Sequence, residues 1–363
     1  MFQNLFLPSF IAFLIAIIVT PLTIKFAKKY GIVDDPSKKP HPAHIQQRVV
    51  PKAGGIPIFL AITLPILFFI PMDKQILGIL IGSLLLLAIS LVDDTTRELS
   101  PYPRLLFQIL AAASVVAAGV GITFITNPFG GILRLDGLII PITFFGVHNI
   151  IVFADILAFL WIVWMMNMVN WSGGIDGQLA GIISVCAITI GILAYNQFAA
   201  GDPNQLPLAI ISFIVAGAAL GFLVFNWYPA RIFAGDGATI FGFLIAVLCI
   251  LSSAKLATAL LVLLVPAIDF FYTFFRRILS KRSPFKGDRK HLHHLLLNRG
   301  WSHKQISLFY IFTCATLGLA ATRLSSQGKL FTVIGVGVVT LGIIVWLHLL
   351  ERKLRLFQEK NES

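Results

Sequence analysis

Gln75-Ile76-Leu77-Gly78-Ile79-Leu80-Ile81-Gly82-Ser83-Leu84-Leu85-Leu86-Leu87-Ala88-Ile89-Ser90-Leu91-Val92 contains no charge, and it runs directly into Asp93-Asp94. As an α-helix rising 1.5 Å per residue, such a run nearly spans a hydrocarbon core of about 30 Å. Ten further apolar runs occur at roughly 5–26, 53–71, 104–121, 151–169, 178–196, 206–225, 238–253, 257–275, 308–324 and 331–350. The runs are continuous rather than alternating. They therefore predict helices and not the strands of a closed barrel, the other structure that satisfies its backbone in lipid. The expected fold is all-α: a polytopic integral membrane protein of about eleven transmembrane helices, forming a single transmembrane catalytic domain over residues 1–363. With 57% hydrophobic and 12% charged residues, no soluble domain is visible.

Lys and Arg orient the spans. The first span is preceded by Met1-Phe2-Gln3-Asn4 and followed by Lys25, Lys28 and Lys29, the reverse of a cleavable signal peptide. This predicts an outside N-terminus and a cytoplasmic C-terminus. Cytoplasmic loops then fall at about 27–52, 93–103, 170–177, 226–237 and 276–307. These loops, their helix ends and the C-terminal tail hold 23 of the 28 Lys and Arg. The net charge of +12 is therefore mainly a topology signal for a multi-pass protein of the cell (inner, cytoplasmic) membrane. Attraction to anionic lipid or phosphorylated substrate is its second use; nucleic acid is not an expected partner. The external loop, about 122–150, is rich in Gly, Pro and β-branched residues. It predicts a small hairpin or a partly inserted segment, without evident chemistry. Cys186, Cys249 and Cys314 lie inside apolar runs and fit neither a disulfide framework nor a zinc site.

Five acids, Asp93, Asp94, Glu98, Asp176 and Asp236, end apolar runs on the same predicted face. Acids are expensive near lipid, so this clustering points to a divalent cation or a phosphate-bearing substrate. Adjacent Asp93 and Asp94 suit a hard cation such as Mg²⁺, although a solvated helix end explains them about equally well. Asn167 and Asn170 share one face of a helix end ahead of Ser172-Gly173-Gly174-Ile175-Asp176-Gly177, where amides and glycines can approach a ligand closely. Asp236 stands between Gly235 and Gly237 at the start of a helix; a simple N-cap explains the acid but not both glycines. In the last loop, Asp288-Arg289-Lys290-His291-Leu292-His293-His294 suggests anion binding more than zinc, since cations crowd the histidines. The first loop adds Lys38-Lys39-Pro40-His41 and a Gly54-Gly55 start to a helix, a weak sign of a phosphate clasp. Carboxylates, amides and cations on one face are the equipment of phosphoryl transfer.

In this order the loops resemble the polyprenyl-phosphate N-acetylhexosamine-1-phosphate transferases, which start bacterial cell-wall and surface-glycan synthesis. The matching patterns are D-D-x-x-x-L-S-P, N-x-x-N-x-x-D-G-x-D-G, F-x-G-D and H-x-H-H, spread from Val33 to His294. The resemblance implies transfer of N-acetylhexosamine-1-phosphate, GlcNAc-1-phosphate foremost, from a UDP-sugar to polyprenyl phosphate with release of UMP. The branch acting on UDP-N-acetylmuramoyl-pentapeptide ranks second, because it carries three consecutive His. The implied cofactor is Mg²⁺, with Mn²⁺ as an alternative; the implied partners are UDP-N-acetylhexosamine, the polyprenyl phosphate lipid, the membrane and a second subunit in a homodimer.

Residue by residue, the resemblance implies catalytic roles for Asp93, Asp94, Asp176 and Asp236, with Asp236 and Asp93 as metal ligands. Asn167, Asn170 and Asp176 would line the nucleotide site and Phe233 would stack on uracil. Arg289, His291, His293 and His294 would bind sugar or phosphate oxygens, and Lys39 with His41 forms a basic pair. Two departures stand out. Gly173 occupies the place of the first Asp in D-G-x-D-G, and the spacing from Asp94 to Leu99 is one residue longer, with Glu98 as a substitute carboxylate. A degenerate, non-catalytic lipid- or nucleotide-sugar-binding relative is one alternative. A transporter is another, and it would instead place acids near mid-membrane, where only Asp155 and Asp269 fall.

Overall fold

The computed structural model describes residues 2–37, 48–96, 99–143, 147–252, 256–283 and 288–362. Each apolar run is helical. In chain order the helices are α1 (Phe2–Lys29), α2 (Gly55–Phe69), α3 (Lys74–Thr95), α4 (Pro101–Ala117), α5 (Val152–Trp171), α6 (Gln178–Ala199) and α7 (Gln205–Asn226). They continue with α8 (Ala238–Leu251), α9 (Leu256–Val262), α10 (Leu264–Leu279), the short α11 (Leu292–Asn298), α12 (His303–Arg323) and α13 (Ser326–Glu362). Among the described residues, seven helices are long and apolar enough to cross a membrane, or eight with α9 and α10 as one bent span. The protein is therefore a polytopic helical membrane protein. The runs at 53–71, 104–121 and 238–253 form shorter helices than their apolar length predicts.

Local chemistry explains these ends. Leaving α4, Gly119 adopts φ +92°, and the bonds Gly119 N to Val116 O (2.9 Å) and Val120 N to Val115 O (3.0 Å) close a Schellman cap. The run 257–275 breaks at Leu263, where α9 and α10 meet at 84°. Pro266, in the first turn of α10, has no N–H for the Val262 carbonyl and its ring crowds that carbonyl, which separates the two helices.

Lipid supplies no hydrophobic drive between helices, so close backbone approach through small residues carries the packing. Gly217 and Gly221, four apart on α7, lie against the Ser9 and Phe13 carbonyls of α1, with Ala12 and Ala16 fully buried at the same seam. Helix α8 is buried from Ala238 to Cys249 at the centre of the bundle. Its N-terminus meets the C-terminal ends of α3, α5 and α7 at one end of the molecule.

Among the described residues, three two-stranded antiparallel sheets qualify the all-α expectation. β1 (Val33–Asp34) pairs with β2 (Val50–Pro51) at the acidic end. At the other end, β3 (Phe124–Thr126) pairs with β4 (Ile132–Arg134), and β5 (Ile139–Thr143) with β6 (Val147–Ile151). The loop at about 122–150 thus holds two hairpins, where one hairpin or a partly inserted segment was expected. A Gly217→Val substitution is expected to force α1 from α7. Thermal unfolding of the detergent-solubilised protein should show its midpoint lowered by several degrees, whereas Gly342→Val on α13, with open space around it, should leave it unchanged.

Candidate active site

Asp94 reaches the end of α3 only 7% exposed. One carboxylate oxygen, Oδ2, accepts the Ala53 N–H at 3.0 Å. The other, Oδ1, lies against the α-carbon of Gly235, whose φ of +58° favours glycine and whose missing side chain makes the room. Gly237 packs on Gly55 in the same way, and Gly54 donates to the Phe233 carbonyl at 3.2 Å. The paired glycines of the first loop are therefore filled by the Gly235-Asp236-Gly237 turn, not left open as a phosphate clasp.

That turn presents Asp236, 4% exposed. Its Oδ1 accepts from Asn170 Nδ2 at 3.0 Å and stands 3.9 Å from Arg104 Nη1. The side chain does not cap α8, so the N-cap explanation fails. Burial pushes the carboxyl up to about 6, against the opposing pull of Arg104. Asp93 pairs with Arg104 Nε at 3.7 Å. Arg104 lies one turn inside α4, and the buried Gln108 follows four residues later on the same face.

These groups border a cavity of about 400 Å³, which Lys52, Asp34, Asn226, Phe233 and His303 also line. Asp93, Asp94, Asp176, Asp236 and Asn170 are thus brought together. Asp176 is the most fully tied: its Oδ2 accepts from Arg48 Nη2 at 3.1 Å and Ala230 N at 2.9 Å, and its carbonyl accepts from Ser307 Oγ at 2.6 Å. Asn167 bonds Gln108 Oε1 at 2.7 Å and, with Trp171, walls a niche of about 50 Å³ beside Asp236.

The three histidines are placed otherwise. His291, His293 and His294 are 7%, 1% and 4% exposed; His291 stacks on His293, His294 tilts against both, and the three lie beneath the cavity rather than lining it. His293 Nε2 presses on the α-carbon of Gly174, which does line the cavity. Burial lowers His294 to about 4 and lowers His293 well below the usual range. Asp288 is bonded by Arg276 at 2.8 Å and Arg277 at 3.4 Å; burial alone would raise it, but these bonds hold it at about 2. Arg289 is exposed. Lys39, His41 and Glu98 lie outside the described residues.

Sequence reading missed Arg104, Gln108 and Asn226 as a set. Asn226 holds the loop by accepting from Gly177 N at 3.2 Å and donating to Ile232 O at 3.0 Å. A polar residue such as Gln108 inside an apolar run was the available signal.

Among the described residues no three His, Cys, Asp or Glu side chains converge as a complete metal cage. Two buried carboxylate oxygens, Asp94 Oδ1 and Asp236 Oδ2, have no hydrogen-bond partner. That donor set fits a hard cation of the Mg²⁺ kind, which takes one or two carboxylates and leaves its other positions to water and phosphate. Asp93, expected as the second ligand, lines the same cavity and pairs there with Arg104 at 3.7 Å.

A helical membrane bundle whose end gathers carboxylates, amides and cations around one cavity has the architecture of a membrane-embedded transferase. Residues 76–253, just under half of the chain, match the sequence model of glycosyl transferase family 4. It is similar to the probable undecaprenyl-phosphate N-acetylglucosaminyl 1-phosphate transferase of Bacillus subtilis, at 28% identity over 87% of this chain and 84% of that one. The decaprenyl-phosphate N-acetylglucosaminephosphotransferase of Mycolicibacterium smegmatis is 28% identical over 90% of this chain and 84% of its own. A phospho-N-acetylmuramoyl-pentapeptide-transferase of Geobacillus kaustophilus is 27% identical over 84% and 92% respectively. The protein is accordingly an enzyme, a phosphotransferase.

Two outcomes follow for the loop and its histidines. A Cβ on Gly173 meets nothing closer than Asn170 O at 3.3 Å, whereas one on Gly174 runs into the His293 ring. Gly173→Asp is expected to melt like the parent protein and Gly174→Ala several degrees lower, by differential scanning fluorimetry. The second concerns pH. Unfolded, His294 takes a proton below about 6.5; folded, only near 4. Its contribution to stability is complete above 6.5 and is lost as pH falls toward 4, on the order of 3 kcal/mol over the whole window. His294→Gln should flatten the fall in melting temperature between pH 7 and 5; an equally steep fall would remove His294 from the account.

Proposed function

We propose that this enzyme transfers N-acetylhexosamine-1-phosphate, most directly GlcNAc-1-phosphate, from a UDP-sugar to a polyprenyl phosphate and releases UMP. The observation that carries this reading is the pair of buried, unpartnered carboxylate oxygens on Asp94 and Asp236, set beside Lys52 and Arg104 where apolar helices end. A lipid phosphate and a water-soluble nucleotide sugar can both reach such a place. The positive-charge bias of the loops supports putting this end of the bundle in the cytoplasm, with the N-terminus outside.

Asp236 and Asp94 would hold Mg²⁺ (or Mn²⁺) through their free oxygens. When bound, the cation neutralises charge on the donor's diphosphate. Lys52 and Arg104 would hold the phosphates, so that two anions can approach. Phe233 lines the same cavity and offers an aromatic face to uracil. Asp93, held by Arg104, would take the remaining proton from the lipid phosphate. A lipid phosphate oxygen then attacks the sugar-bearing phosphorus; the new P–O bond forms as the bond to UMP breaks. One pyrophosphate link replaces another, so the step is close to reversible. Direct attack needs no covalent enzyme intermediate.

The test is UMP release by the purified protein with Mg²⁺, undecaprenyl phosphate and a panel of UDP-sugars that includes UDP-N-acetylmuramoyl-pentapeptide. Turnover with UDP-GlcNAc is expected, and Asp236→Asn and Asp94→Asn should each lower it at least a hundredfold. No UMP from any donor would sink the transferase reading. Turnover with the pentapeptide donor alone would move the enzyme to the other branch.

A further inference from the structure

Asp269 lies in the first half of α10 and is 4% exposed, an acid inside an apolar run that the proposed chemistry does not use. Thr273 and Arg277 follow at four-residue intervals, so the three share one face of the helix, and all are buried. Asp269 reaches the loop that carries the histidines. Its Oδ1 accepts the Leu292 N–H at 2.7 Å, and its Oδ2 stands 2.8 Å from His291 Nδ1. The other ring nitrogen, His291 Nε2, stands 3.4 Å from Arg277 Nη2. The guanidinium of Arg277 in turn lies 4.9 Å over the ring of Trp171. Trp171 walls the niche that holds Asn170 and Asp236.

Donor and acceptor counting fixes the order of this chain. A guanidinium can only donate, so His291 Nε2 must accept. The ring proton is then on Nδ1 and is given to Asp269. We propose that Asp269 is a positioning residue: by holding His291 in the Nδ1–H tautomer it lets the ring accept from Arg277, and so fixes Arg277 on Trp171 at the edge of the catalytic niche. The histidine motif then works as a strut whose register is set from α10. In Asp269→Asn the side chain is nearly isosteric. Its oxygen can still accept from Leu292 N, but its NH₂ now faces His291 Nδ1. The ring proton shifts to Nε2, where it opposes the Arg277 N–H, and Arg277 leaves Trp171.

The activity arm of the test rests on the transferase reading; the spectroscopic arm does not. Full-length protein labelled with ¹⁵N-histidine is placed in lipid nanodiscs, and the His291 signals are identified by their loss in His291→Gln. In the wild type, Nδ1 is expected to give a protonated-type resonance and Nε2 an unprotonated one; this is read without any positional variant of Asp269. In Asp269→Asn the two should exchange, with at least a tenfold fall in UMP release. In an Arg277→Met background, Asp269→Asn should cost nothing more, because the clash it creates is gone. A wild-type Nε2–H tautomer, an unchanged tautomer in Asp269→Asn, or losses that multiply in the double variant would each overturn the proposal. Wild-type protein without turnover would count against the transferase reading alone, and the tautomer would still decide the role of Asp269.

Discussion

Everything at the reactive end depends on burying a carboxylate pair where water is scarce and lipid begins. An isolated charge in such a place costs several kcal/mol, so each acid must find a donor, a cation or an arrangement that keeps one awaiting it. Asp94 meets the requirement by drawing three segments together. It sits on α3, takes a backbone N–H from the first loop, and rests against Gly235 of the turn before α8. The first loop then bonds the same turn through Gly54 and Phe233. Asp236 is aimed by this packing, with Asn170 from α5 and Arg104 from α4 completing its surroundings.

Four of the buried acids divide by how their oxygens are used. Asp176 and Asp269 spend theirs on neighbouring loops. Asp176 ties Arg48, Ala230 and, through its carbonyl, Ser307; Asp269 ties His291 and Leu292. Asp94 and Asp236 each keep one oxygen unused. Rigid struts thus surround two poised groups, which is how a site avoids reorganising its charges at the moment of reaction.

Much of this was legible from residue pattern. The apolar runs located every described helix except the short α11, and Asp93, Asp94, Asn170, Phe233 and Asp236 do share one cavity. What pattern could not show was tertiary pairing. His291, His293 and His294 looked like ligands for an anion because three imidazoles stood among cations; in the fold they are buried against Asp269 and Gly174, contacts made between residues far apart in the chain. Gly54 and Gly55 looked like a loop open to phosphate, and their space is taken by a second glycine-rich turn. Helix length was overestimated for the run at 104–121 because hydropathy continues past Gly119 while the backbone has already turned. The run 257–275 reads as one span although Pro266 lies within it, and no pattern gives an angle of 84°.

The glycines of the loop after α5 carry a consequence for sequence drift. Gly174 is closed by the His293 ring, and Gly177, with φ +80°, by Trp227. Neither can acquire a side chain without moving a neighbour. Gly173 alone of the three has room for one. It is also the place where this chain differs from the motif it resembles, which has Asp there. A side chain at this position meets only the Asn170 carbonyl closely, at 3.3 Å, so the loop can exchange a carboxylate for a hydrogen with a small local adjustment. Substitution here is open to selection on chemistry with far less coupling to the fold than at Gly174 or Gly177.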